Sequence, residues 1–380
     1  MSEALANQRH LFEIPDGVAF FNCANLAPQL RSVRKAGERA LARNARPWEI
    51  ASSDWFTDVE RLRALFARLV GGDADGVALV PSTSYGLAVA ALNLDARPGS
   101  RVLTIARDFP SAVYTWRSFA HRTGAEVRTV AREAHQSWTE ALLEAIDERV
   151  AVVAVPNVHW TDGSLVDLWA IAERARSVGA VVAIDATQSL GAMPLDVRAL
   201  DPDFVVAAGY KWLLGPFGLG YLYVAERHRD GRPLEENWIL RAGSDDFARL
   251  TDYRDDYQAG ARRFDVGERT NFTLVPMAIA ALEQLLDWQV DRIAGALAIH
   301  TGRIEREAAA RGLLPLPAGE RGPHMLGIRV PGSTSTLAPA LAARGVYVSV
   351  RAGLVRVAPH AYTSEADIDL LLDALAGQVE

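Results

Sequence analysis

Lys211 follows Tyr210 just beyond the apolar run Phe204-Val205-Val206-Ala207-Ala208, and Asp185 closes an earlier run, Val181-Val182-Ala183-Ile184. A lysine amine can form an imine with an aldehyde, and a carboxylate can pair with a pyridinium nitrogen. Both runs read as buried strands, whose carboxyl ends are where open parallel sheets gather their ligands. Gly215-Pro216-Phe217-Gly218-Leu219-Gly220 then turns the chain into a third apolar run. Amine and acid thus arrive at one edge, the combination that pyridoxal phosphate requires. Standing alone, a buried lysine and aspartate more often form a structural ion pair.

Other residues could complete such a site. Pro81-Ser82-Thr83-Ser84-Tyr85-Gly86 offers hydroxyls and backbone amides between an apolar run and a helical pattern, so it can cradle a phosphate or simply cap a helix. Gln188, in the same segment as Asp185, can approach the phenolic oxygen of the cofactor. Asn157-Val158-His159-Trp160 follows a run ending at Pro156, and His159 and Trp160 are candidates for the substrate pocket. For His159 an ordinary hydrogen-bonded structural role is equally open.

These residues need a scaffold. The runs Val77–Val80, Val102–Ile105, Val127–Val130, Val150–Val155, Val181–Ile184, Phe204–Ala207 and Gly220–Val224 alternate with helical patterns, which predicts an α/β sheet. The segment TDVERLRALFARLVGG puts Val59, Leu62, Leu65, Phe66 and Leu69 on one helical face and ends at paired glycines. Beyond Pro276 the pattern predicts long helices, strands near Met325–Val330 and Gly345–Val350, and a closing helix over Ser364–Ala376. At 380 residues and 49% hydrophobic composition the chain can bury a large core. A formal charge of −7 with no sustained basic tract gives no electrostatic case for nucleic acid or an anionic membrane. No apolar stretch reaches membrane-spanning length and the first residues lack a signal pattern, so a cytoplasmic location is expected. The one cysteine, Cys23, excludes an internal disulfide and a cysteine-only metal cluster, and no metal is expected.

The block AIDATQSLGAMPLDVRALDPDFVVAAGYKWLLGPFGLGYLYV resembles the aminotransferase class V family of fold-type I pyridoxal-phosphate enzymes, which includes cysteine desulfurases, kynureninases, serine–glyoxylate aminotransferases and isopenicillin N epimerase. Further matching segments run from about Phe20 into the C-terminal region. The resemblance implies a large domain with a mainly parallel seven-stranded sheet, a smaller α+β C-terminal domain and a homodimer with shared active sites. We place an N-terminal segment at 1–17, the large domain at 18–284 and the small domain at 285–380.

By the same resemblance Thr83 and Ser84 contact the cofactor phosphate, Phe109 of Asp108-Phe109-Pro110-Ser111 lies over the pyridine ring, and Asn157 contacts the phenolic oxygen or the substrate carboxylate. Asp185 pairs with the ring nitrogen, Lys211 holds the aldehyde as an internal imine, and the Tyr210 hydroxyl reaches the phosphate. Ala208 stands where cysteine desulfurases have a hydroxyl residue. Thr270 and Asn271, in a segment where Glu268 replaces a common threonine, are expected to reach the phosphate of a neighbouring subunit. Arg356 is expected to receive the substrate carboxylate through its planar fork.

Transamination, elimination and racemisation share their first steps, so the exact reaction is less defined than the cofactor. An amino-acid aminotransferase comes first because it needs no extra nucleophile; a kynureninase-like or C–S lyase activity is second and an epimerase third. The short segment between Arg351 and Arg356 has no cysteine, which argues against persulfide chemistry. A non-catalytic binding protein would not need both Lys211 and Asp185, and a dinucleotide-binding glycine turn with its acid is not evident.

Overall fold

The computed structural model describes residues 3–133, 135–331 and 336–377. The N-terminal strand β1 spans Ala19–Phe20. Seven strands then build one sheet: β2 (Val77–Val80), β3 (Arg101–Ile105), β4 (Glu126–Val130), β5 (Val150–Pro156), β6 (Val181–Asp185), β7 (Phe204–Ala208) and β8 (Gly220–Val224). Their order is β2-β8-β7-β6-β5-β3-β4. The pairs from β4 to β7 are parallel, whereas β8 is antiparallel to both β7 and β2. Strands β7 and β8 are buried throughout, as expected when helices cover both faces of a sheet.

Register fixes what meets at the carboxyl edge. Pro156 lies opposite Asp185, Asp185 opposite Val206, and Gly220 opposite both Ala208 and Val80. The reversed β8 therefore starts where β2 and β7 end, and the loop between β7 and β8 carries Lys211 over that edge.

The helix Thr57–Leu69 shows how patterning becomes packing. Val59, Leu62, Leu65 and Phe66 are buried on one face, and Phe66 stacks on Tyr221 of β8 at 4.2 Å between ring centroids. Each such side chain contributes about 1.5–3 kcal/mol on burial. The helix ends before Gly71, whose φ of +67° only glycine adopts without strain.

A second sheet, in the order β12-β13-β10-β9, comprises β9 (Leu314–Pro315), β10 (Leu326–Arg329), β12 (Ser349–Arg351) and β13 (Leu354–Val357). Strand β11 (Val346–Tyr347) pairs in parallel with β1, which brings Ala19 and Phe21 into the same core as Ile304, Leu326, Val355 and Leu371. The chain start thus packs with its end. Position 284/285 falls inside the helix Leu274–Trp288, and the chain turns at Gln289, φ 63°, before the helix Val290–Ala310. Among the described residues no helix is long and apolar enough to cross a membrane.

Candidate active site

The loop from Gly209 to Leu219 closes on itself. Gly209 N donates to Leu219 O at 2.9 Å, Gly215 N to Gly209 O at 2.8 Å, and Leu214 N to Lys211 O at 3.0 Å. Leu214 sits at φ 55°, a left-handed conformation that costs a side-chain-bearing residue energy and tightens the turn. Lys211 is thereby held on the wall of a cavity at the sheet edge, 7% exposed, with Nζ 5.6 Å from the centroid of Phe109 and 5.7 Å from that of Tyr210. Burial pulls its pKa down to about 8, with the Asp185 charge opposing the shift.

Asp185 shares the wall, and its Oδ1 accepts from Thr187 N at 2.9 Å. Burial raises its pKa, partly offset by the Thr187 hydrogen bonds and the Lys211 charge. Asp108 lines the same cavity and accepts from Phe109 N at 2.7 Å. Burial first, then the Asp185 charge, pushes it up to about 7.

At the β2 end the helix Thr83–Leu92 points its N-terminus into the cavity. Ser82 caps it, accepting from Tyr85 N at 3.2 Å, and Thr83, Ser84 and Ser111 add hydroxyls to the wall. Thr83 Oγ1 is 3.1 Å from Thr187 Oγ1, which also accepts from Ala208 N at 3.2 Å. Thr187 therefore links the hydroxyl loop, Asp185 and the end of β7. Unpaired helix N–H groups with adjacent hydroxyls suit a phosphate.

Phe109 and Trp160 meet edge to face on the wall, at 5.6 Å and 85°. Gln188 is on the wall as well, while Tyr210 packs against Phe217 at 4.6 Å. The Trp160 carbonyl accepts from Arg356 Nη1 at 2.7 Å, and Arg356 Nη2 donates to Ser349 Oγ at 3.0 Å.

Arg356 itself is buried off the wall, and Asn157 and His159 lie off it too. Asn157 is not on the wall; its neighbours Pro156 and Val158 are, and its amide donates to Val166 O at 3.2 Å. The pleat turns alternate side chains apart, so only one parity faces the cavity. His159 also lies behind the wall: Nε2 donates to Ala106 O at 3.2 Å, Nδ1 accepts from Thr161 Oγ1 at 2.7 Å, and the ring stacks on Trp138 at 5.3 Å. It is a packed, hydrogen-bonded histidine with burial lowering its pKa.

Thr270 and Asn271 do not line the cavity of their own chain. Thr270 Oγ1 donates to Trp55 O at 2.7 Å, and Asn271 Oδ1 accepts from Leu274 N at 2.9 Å, where a helix begins. Their segment is pinned by buried Asp265, which accepts from Arg63 at 2.8 Å and Arg269 at 2.6 Å.

The wall also holds Thr187, Asp108 and Phe217, each adjacent in sequence to an expected site residue or turn. Thr187 stands between Asp185 and Gln188, Asp108 precedes Phe109, and Phe217 lies inside the glycine turn. Lysine itself occurs only at positions 35 and 211, which alone narrows the search for an imine-forming side chain.

The arrangement fits pyridoxal phosphate: a buried amine for the aldehyde, a carboxyl for the ring nitrogen, an aromatic ring beside the amine, and hydroxyls at a helix N-terminus for the phosphate. Among the described residues no group of three or more His, Cys, Asp or Glu could hold a metal ion.

Known proteins share the sequence and the fold. A model of the aminotransferase class-V family matches residues 35–302. The chain is 30% identical over 345 residues to an uncharacterized aminotransferase, YcbU, of Bacillus subtilis strain 168, covering 86% of each protein. It is 31% identical over 313 residues to a kynureninase of Deinococcus radiodurans, covering 78% of this chain and 71% of that one. Among solved structures, a mutant of C-DES with glycine covalently linked to its pyridoxal-phosphate cofactor superposes with a TM-score of 0.89 at 18% identity, covering 97% of this chain and 99% of that one.

Proposed function

This chain belongs to the aminotransferase class-V family of pyridoxal-phosphate enzymes, and from that membership we propose that it is an aminotransferase acting on an amino acid. The observation that carries the proposal is one amine, Lys211, held between two aromatic rings on the cavity wall with its pKa drawn down to about 8. An amine with that pKa is a free base often enough near neutral pH to take a proton from carbon and to return one. Likeness to the Bacillus aminotransferase over most of both chains supports the same reading.

When bound, pyridoxal phosphate supplies an aldehyde for amino-group exchange and a ring that draws electrons from the substrate α-carbon. The residues that would hold it are Thr83 and Ser84 at the phosphate, Gln188 at the phenolic oxygen, Asp185 at the ring nitrogen, Phe109 beside the ring and Lys211 at the aldehyde. Asp185 keeps a proton on the ring nitrogen. Phe109 and Trp160 keep water away from the reacting face. Arg356 takes the α-carboxylate, and Lys211 Nζ moves the α-proton. One base serves amino transfer, whereas inversion of the α-carbon needs a second acid on the opposite face. Two other acids line the wall, the Asp108 carboxyl, which feels the Asp185 charge, and the Tyr210 phenol.

A kynureninase-like cleavage is the second reading, favoured by the Deinococcus relative and by the aromatic wall of Phe109, Trp160, Tyr210 and Phe217. We further infer a homodimer in which Thr270 and Asn271 approach the partner's phosphate, since neither residue lines the cavity of its own chain.

A panel of amino acids, with cofactor spectra and product analysis, tests the proposal. Conversion of the cofactor to its amine form with one equivalent of keto acid supports transamination. Ammonia with a fragmented side chain would replace it by the lyase reading, and an inverted enantiomer by epimerisation.

A further inference from the structure

Trp212 follows Lys211 directly, yet its side chain is fully buried and absent from the cavity wall. Its indole Nε1 donates to Gln188 Oε1 at 2.9 Å. On the other side, Gln188 Nε2 donates to Ala24 O at 3.0 Å. Those two contacts settle which way the amide points, because an indole N–H can only donate and a main-chain carbonyl can only accept. The reversed amide would set N–H against N–H and oxygen against oxygen. The amide nitrogen carries two hydrogens, and Ala24 uses one. The other is left for the cavity that Gln188 lines.

The surroundings hold this arrangement rigid. His324 Nε2 donates to the main-chain carbonyl of Gln188 at 2.6 Å, and its ring meets the Trp212 ring edge to face at 4.4 Å and 84°. Burial keeps His324 neutral, with its pKa lowered to about 4. Gly191, at φ 96°, presses against the carbonyl of Trp212 so closely that a Cβ there would collide with it. Gly191 thus docks the Gln188 turn onto the Lys211-Trp212 turn.

We propose that Trp212 is a positioning residue that locks the Gln188 amide with one N–H facing the phenolic oxygen of pyridoxal phosphate. The same turn then does two things: Lys211 faces the cofactor, and Trp212 faces away to orient the donor that the cofactor meets. A donor there favours the ionised phenolic oxygen and so holds down the pKa of the Lys211 imine. The proposal rests on pyridoxal phosphate being bound at Lys211 and is independent of which reaction follows.

The test is the pH titration of the visible imine band in the cofactor-loaded protein. Gln188→Ala should raise the midpoint by about one pH unit, the size expected for losing a hydrogen bond to a charged acceptor. Trp212→Phe should raise it by at least half as much, and Trp212→Phe with Gln188→Ala together should go no higher than Gln188→Ala. A folded Trp212→Phe protein with the wild-type midpoint, or full additivity of the two shifts, would overturn the proposal. Gln188→Met keeps the side-chain length and removes the N–H without adding a charge, so it keeps the proposal falsifiable if Trp212→Phe does not fold. Its midpoint should rise, and a wild-type midpoint there would overturn the proposal equally. A wild-type protein with no imine band would instead remove the cofactor reading itself.

Discussion

The Arg356 guanidinium donates through Nη1 to the carbonyl of Trp160 at 2.7 Å, tying β13 of the small sheet to the cavity wall. Four arginines are buried among the described residues, and Arg63, Arg269 and Arg321 each sit on a carboxylate, that of Asp265, Asp265 and Glu305 respectively. Arg356 has only Trp160 O and Ser349 Oγ, and its Nε has no partner. Burial, with the Arg351 charge nearby, draws its pKa down to about 9. A substrate carboxylate would supply the missing countercharge. Arg356→Lys should therefore cut kcat/KM for an amino acid by about tenfold or more while leaving cofactor affinity nearly unchanged. Comparing the amino acid with its decarboxylated amine checks this; equal impairment of both would remove Arg356 as the anchor.

Asp185 is braced by Thr187 at the end of β6, so an isosteric change should leave its position intact. Asp185→Asn removes the charge that keeps the ring nitrogen protonated, and α-proton exchange should slow by at least about tenfold. Exchange of substrate deuterium into water is the measurement. Unchanged exchange together with unchanged cofactor affinity would exclude the ring-nitrogen role.

Asp108 gives the cofactor-free protein a distinct pH response. Its folded pKa is raised from 3.8 to about 7 by burial and by Asp185. Between those values the folded chain holds a proton that the unfolded chain has released, so this group's contribution to stability falls as pH rises through that window. Asp108→Asn should flatten the fall. Thermal midpoints from pH 4 to 7 that run parallel for both proteins would contradict the assignment.

Lys211 titrates in the opposite sense. Its folded pKa of about 8 lies below the ordinary 10.5, so from about pH 8 upward the unfolded chain binds more protons and stability rises with pH until the ordinary value is passed. Imine formation with added pyridoxal phosphate should likewise level off above about pH 8. A rate still climbing at pH 10 would show an unperturbed amine.

Most of the sheet strands were legible because they are buried and read as apolar runs, whereas the edge strand β4, EVRTV, is largely exposed and showed only Val127 and Val130. Strand direction was less so: the glycine turn before β8 does not by itself say that the strand returns antiparallel. The pairing of β1 with β11 joins Ala19 to Val346 across nearly the whole chain, and two-residue strands leave no periodic signal. At the site, Lys211, Asp185, Gln188, Phe109 and Trp160 all reached the wall, whereas Asn157 did not. Its orientation turns on the parity of one pleat at the end of β5, which a sequence alone does not fix. The roles of Thr187 and Trp212 are not legible in the sequence for a related reason. Their partners, Thr83 and Ala208 for one and Gln188 for the other, are set by how separate turns dock.

The central claim is that pyridoxal phosphate is held covalently at Lys211, and the chain makes the test clean because its one other lysine, Lys35, is exposed on the helix Arg31–Asn44. The loaded protein is reduced with borohydride, digested and mapped by mass spectrometry. The account predicts one pyridoxyl group on the peptide carrying Lys211, and none on any peptide of Lys211→Ala. A pyridoxyl group on Lys35 or the terminal amine instead, or loss of the visible band with no label on Lys211, would contradict it.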